Sequence, residues 1–209
     1  MRPVRGRHRR SVAVAGVTRN RRIAWVYAQA NIIDSVGRPA HGGEEVPGGS
    51  PPPETLPVGV RVLPLETRLG PVGSVQELYD PEWGAHPDPL VYAHVFTVLP
   101  DRAKGWGRHD EHDDRYALLR GSIEVALCDG RPGSETFGLG CIVRMSDVRR
   151  QLMVIPAGVW HATRNVGDGE ALVVDFPTRP YRHERPDKFT LPLDTEELPM
   201  RLGPGWHGH

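Results

Sequence analysis

Two stretches of this chain carry side chains whose type and spacing could do chemistry. The first, "GRHDEHDDRYALLRG" (residues 107–121), sets His109, His112 and Asp114 ahead of an apolar run. The second, "IPAGVWHATRN" (155–165), bends an apolar run through Pro156 and Gly158 and then offers His161. A strand that only filled a core would need no imidazole at its exit. Imidazole titrates near neutral pH, and an adjacent carboxylate shifts its pKa, so such a pair suits proton transfer. On this reading His109 and His161 are acid/base or orienting groups and Asp114 tunes one of them. Side chains two apart share a strand face, so groups from neighbouring strands of a barrel can meet at one interior point. Trp106, between two glycines, is a candidate stacking wall for a ring-shaped substrate, and Arg115 a candidate binding group.

The elements that must position these groups are short strands. Strand signals fall at 59–65, 73–79, 90–99, 114–121, 122–129, 140–145, 151–156 and 171–177, separated by turn residues. "SIEVALC" alternates apolar and polar residues, as in a strand with one buried face. "RGS" at 120–122 reads as a tight hairpin turn, with Gly121 free to take positive φ. No long stretch has a 3.6-residue apolar period, so helix is scarce. The pattern predicts an all-β jelly roll or sandwich. Residues 36–57, dense in glycine and proline, read as linker. The expected organisation is an N-terminal arm, 1–57, and a folded domain, 58–209. The proline-rich tail after residue 180 is expected to wrap the barrel or a partner subunit without regular structure.

Composition narrows the partners. Twenty-six basic and 26 acidic residues cancel, so no overall field favours nucleic acid or membrane. Residues 1–22 hold eight arginines and no acid, which reads as a solvated tail. No apolar run has the length needed to span a bilayer. Two cysteines, Cys128 and Cys141, make no disulfide framework and fit a reducing, cytoplasmic setting. A small-molecule substrate is the expected partner.

Both chemical stretches resemble the two motifs of the cupin superfamily. "PAGVWHATRN" matches P-x-G-x-x-H-x-x-x-N, from Pro156 through Gly158 and His161 to Asn165. In the first motif Gly107 stands at the place of the first histidine and His109 at the second. Asp114 takes the glutamate place, and Gly121 closes the motif. The resemblance implies an extended jelly-roll barrel. It also implies one alternative use of these groups: His109, Asp114 and His161 as ligands of a mononuclear Fe, Ni, Mn or Zn ion, with His112 as a substitute ligand.

The flanks narrow the resemblance. "GVRVLPL", "SIEVALCDGRPGSETFG", "QLMVIPAGVWHA" and "LDTEELPMR" are similar to dTDP-4-dehydrorhamnose 3,5-epimerases, from about Val58 to Arg201. That resemblance implies a homodimer, no cofactor, and proton abstraction beside a sugar ketone. The substrate would be a nucleotide sugar or a related specialised metabolite. The family's R-G-L-H falls on "KGWG", so Lys104 replaces the arginine and Gly107 the basic histidine. Asp114 lies where the family has lysine, and Val174 or Val173 where it has the acidic tyrosine. Asp194 lies where the family's aspartate would be. His109 then becomes the replacement base, and the polar interior is expected to serve a diverged reaction. A non-catalytic ligand-binding barrel is the remaining alternative.

Overall fold

A computed structural model describes residues 55–208. The predicted arm, 1–57, lies outside these residues except for its last three. Twelve strands follow in chain order: β1 (Arg61–Pro64), β2 (Thr67–Gly70), β3 (Gly73–Gln76), β4 (His94–Val98), β5 (Ala103–Arg108), β6 (Asp114–Arg120), β7 (Ser122–Asp129), β8 (Gly140–Ser146), β9 (Gln151–Ile155), β10 (Val159–Asn165), β11 (Ala171–Asp175) and β12 (Phe189–Leu191). They form two five-stranded sheets, ordered β1-β9-β6-β11-β4 and β12-β5-β10-β7-β8, and β2 and β3 form a separate hairpin. The strand pairings are antiparallel. The expected all-β jelly roll is the fold found. Among the described residues no helix is long and apolar enough to cross a membrane.

The inner faces of the sheets meet over one apolar core that includes Leu118, Ile123, Val125, Leu127, Val143, Met145, Met153, Ile155 and Val173. Val173, at the place of the expected tyrosine, is thus packing material. The outer faces are covered as well. On one, Ala117 and Leu152 meet Leu65, Ala85, Tyr79 and Trp83. On the other, Trp106, Ala126, Cys128, Trp160 and Ala162 are sealed by Leu198 and Trp206 of the C-terminal segment. The tail therefore does wrap the barrel, but it also contributes β12, which extends the sheet at β5.

Two sequence expectations change here. β7 is buried on both faces, because the tail covers the side that alternation assigned to solvent. Its one outward acid, Glu124, is matched by Arg144 and Arg164, which a buried carboxylate requires. "RGS" is not a hairpin: β6 pairs with β9 and β11, while β7 pairs with β10 and β8. The chain instead crosses from one sheet to the other at Gly121. Gly121 has φ 92°, and a Cβ there would stand 3.1 Å from Ala171 Cα.

Gly133 also has positive φ, 85°, but open space around it. Gly121→Ala is therefore expected to cost more than Gly133→Ala, which bears only the backbone strain of about 1–3 kcal/mol. Thermal or urea unfolding of the two variants checks this; equal losses would show that crowding at the sheet crossing adds nothing.

Candidate active site

Between the sheets, at one end of the core, the packing opens into a cavity of about 220 Å³. Its lining is polar where the rest of the interior is apolar. β6 contributes Asp114 and Tyr116, β10 contributes His161 and Thr163, and β5 contributes Lys104, Gly105 and Gly107. The β5–β10 register slips between His161 and Thr163, which pair with Gly107 and Lys104. That bulge turns adjacent Lys104 and Gly105 toward the cavity. Gly107 faces His161: a Cβ at Gly107 would lie 3.5 Å from His161 Nε2. The glycine at the motif's first-histidine place thus leaves room beside a surviving histidine.

The loop between β5 and β6 carries His109 and His112 and is tied down from three directions. Gly158 N–H donates to the His109 carbonyl at 2.7 Å, so the turn through Pro156 and Gly158 anchors that loop as well as starting β10. Gly158 has φ 81°, open to glycine without strain. Asp113 accepts from Ala157 N–H at 2.8 Å and contacts His86 Nε2 at 2.8 Å. From the tail, Asp187 accepts from the Asp110 and Glu111 backbone at 2.9 and 2.7 Å.

Three imidazoles surround one carboxylate. His109 Nε2 and His161 Nε2 each lie 3.4 Å from Asp114 Oδ2, and His112 Nε2 lies 3.4 Å from Oδ1. Asp114 is 2% exposed and His161 7%. The other ring nitrogens face acceptors. His109 Nδ1 donates to the Asp187 carbonyl, His112 Nδ1 to the Asp187 carboxylate at 2.9 Å, and His161 Nδ1 to the Val159 carbonyl at 3.2 Å. His109 and His112 stack at 4.1 Å, and Tyr116 meets the His161 ring edge-on at 6.0 Å.

The field in the cavity follows from burial and from this carboxylate. Burial opposes charge on Asp114, yet His112, His161 and His109 outweigh it and hold its pKa below the ordinary value. Burial lowers the His161 pKa despite Asp114, so this imidazole is neutral at pH 7. For His112 burial is overcome by Asp114 and Asp187, and the pKa rises. Burial and the nearby Asp114 and Asp175 push the Tyr116 phenol well up.

Sequence reasoning missed a second polar pair in the same cavity, His94 of β4 and Asp175 of β11, which are register partners 3.7 Å apart. Burial and Asp114 raise the Asp175 pKa well above the carboxylate range. Burial lowers that of His94. Asp175 follows Ala171 and Val173 at a spacing of two, the one signal that put it on the inner face. Tyr92, Arg179, Tyr181 and Lys188 also line the cavity; nothing in their local sequence marked them.

Other expected site residues lie elsewhere. Trp106 turns outward, 1% exposed, into the layer beneath the tail, so it is no wall of the cavity. Arg115 also turns away. It donates to the carbonyls of Phe176, Asp88 and Pro89 and to the Tyr79 hydroxyl, stapling two loops to β6. Its neighbour Tyr116 takes the inward place. Asp194 lines a different surface hollow, with Leu202 and Trp206; the tail aspartate that reaches the imidazoles is Asp187. Lys104 lines the cavity with its ammonium 5.6 Å from the Phe96 ring centre.

No protein-family model matches the chain. It is 26% identical over 136 residues to "Probable low-salt glycan biosynthesis epimerase Agl13" of Haloferax volcanii, covering 65% of this chain and 87% of that one. Over 99 residues it is 30% identical to the spore coat polysaccharide biosynthesis protein SpsL of Bacillus subtilis, covering 47% of this chain and 66% of the other. Among solved structures it resembles a dTDP sugar isomerase from Desulfovibrio desulfuricans, with a TM-score of 0.61 and 27% identity, over 69% of this chain and 90% of that one. In fold the chain is an RmlC-like jelly roll, similar to the dTDP-sugar epimerases and isomerases among these solved structures.

Proposed function

We propose that this cavity carries out proton transfer beside the carbonyl of a nucleotide-linked keto sugar, as an epimerase-type step in the biosynthesis of a glycan or specialised metabolite. One observation carries the reading: uncharged proton carriers and a carboxylate-centred imidazole cluster line the same small cavity, beneath a basic and aromatic rim. The names of the relatives, a glycan biosynthesis epimerase and a dTDP sugar isomerase, support the substrate class.

Such a reaction needs a base at the carbon, a positive or donor group at the oxygen, and an acid to return the proton. His94, neutral at pH 7 because burial lowers its pKa, is the base. Tyr116, held as the neutral phenol, is the acid. The C–H bond breaks, its proton passes to His94, its electron pair moves into the carbonyl, and the enolate oxygen forms beside His112, whose pKa Asp114 and Asp187 raise against burial. Reprotonation at the same carbon from the opposite face, by Tyr116, inverts it. Lys104, Arg179 and Lys188 hold the diphosphate, and Tyr92 and Tyr181 flank the base of the nucleotide.

His109→Ala and His161→Ala are expected to reduce turnover by at least roughly a hundredfold, with the far-ultraviolet circular dichroism spectrum retained. Solvent-deuterium incorporation into dTDP-4-keto sugars measures this. Full activity in both variants would refute the assignment, and tight binding without any exchange in the unaltered chain would favour a ligand-binding barrel.

The pH dependence has a definite sign. Because the His94 pKa lies below the ordinary 6.5, its basic form persists as pH falls and is lost only through that lower value. The acid limb of kcat/KM should therefore lie below 6.5, and His94→Asn should remove the limb along with most of the rate. At the rim, the double change Arg179→Ala and Lys188→Ala should weaken dTDP binding about tenfold or more, two charge-assisted contacts being removed. Isothermal titration at low and high salt reads this, since the loss should shrink as salt rises.

A further inference from the structure

We infer that Thr163 and His161 of β10 form a seat for one hydroxyl of the substrate, the 2-hydroxyl of the nucleotide-linked sugar, and so restrict the reaction to sugars that have kept it. The inference deepens the proposed function and rests on it for the placing of the diphosphate.

Buried hydroxyls elsewhere in the described residues are engaged. Ser146 accepts from Arg149 N–H and Thr195 from Glu197 N–H, each at 3.2 Å. Asn165, two positions beyond Thr163 on β10, donates to the Val98 and Gly169 carbonyls and accepts from Gly167 N–H. Thr163 is 3% exposed and lines the cavity, yet its hydroxyl has no hydrogen-bond partner among the described residues. Its partner on β7 is Val125, wholly buried. A valine of the same shape would suit these surroundings without leaving a polar group unmatched. The threonine therefore points to a polar partner that enters the cavity.

His161 supplies the other half of the seat. Its Nδ1 donates to the Val159 carbonyl at 3.2 Å, so in the neutral ring Nε2 is an acceptor. Nε2 looks toward Gly107, where a Cβ would stand 3.5 Å away. Side chains two apart share a strand face, so an acceptor and a donor stand in sequence along one wall. A hydroxyl both donates and accepts and satisfies the pair; a methylene satisfies neither. β5 leaves the room, because its bulge presents Gly105 and Gly107 to the cavity.

The position on the sugar follows from Lys104. It is the register partner of Thr163, and the proposed function places it on the diphosphate. The ring carbon next to the anomeric carbon, and so the hydroxyl-bearing carbon nearest the diphosphate, is C2. In the order of chemistry, this reaction then precedes any step that removes the 2-hydroxyl.

Isothermal titration of the full chain with dTDP, dTDP-glucose and dTDP-2-deoxyglucose tests the seat. dTDP-glucose should bind about tenfold or more tightly than the 2-deoxy analogue, two hydrogen bonds being lost together. In Thr163→Val, which keeps the shape, the preference should fall to about threefold or less. Thr163→Ser, which keeps the hydroxyl, should retain it, and all three proteins should bind dTDP alike. A preference unchanged in Thr163→Val, or dTDP-glucose bound no more tightly than the 2-deoxy analogue or dTDP, would overturn the seat. Absence of binding by all three ligands would overturn it together with the nucleotide-sugar reading. Deuterium exchange into a dTDP-4-keto sugar without the 2-hydroxyl preference would remove the seat and spare the proposed reaction. The preference without exchange would do the reverse.

Discussion

A carboxylate sealed inside a jelly roll has to be compensated, and the arrangement around Asp114 follows from that need. β6 brings the acid to the inner face with 2% of its surface exposed. Three histidines, one from β10 and two from the β5–β6 loop, close around it. The imidazoles supply the complement that holds the Asp114 pKa below its ordinary value against burial.

The layers outside the sheets explain how so polar a centre is tolerated. Arg115, fully buried, spends its guanidinium on loop carbonyls and the Tyr79 hydroxyl, which fixes β6 in the register that turns Asp114 and Tyr116 inward. On the other side, Trp106 and Trp160 form an apolar layer that Trp206 of the tail covers, so β5 and β10 are packed from behind while their inner faces line the cavity.

Much of the framework was legible in the sequence, for physical reasons that also explain what was not. β6 to β9 and β11 show apolar spacing and turn residues at their ends. β5, "AKGWGR", hides behind two glycines and a bulge, while β2 and β12 are exposed strands with no buried face to leave a pattern. The turn at Gly121 was misread because positive φ serves a crossing between sheets as well as a hairpin. At the site, His109, Asp114 and His161 carry a motif. Arg115 and Tyr116 differ only in parity along one strand, and parity is visible only once the strand is anchored to a sheet. His94, Asp175 and Asp187 become neighbours of the cavity through pairing and tail docking, which no local pattern encodes.

Asp187 sits 75 to 78 positions beyond the two histidines it orients. During synthesis those residues leave the ribosome with their partner not yet made, and closing so long a loop is a late event on the way to the native state. The barrel strands through β11 precede it in the chain, so the two histidines gain their Asp187 partner only once this segment has docked. Formation of the reactive centre thus waits on a segment made after the barrel strands that carry the other groups.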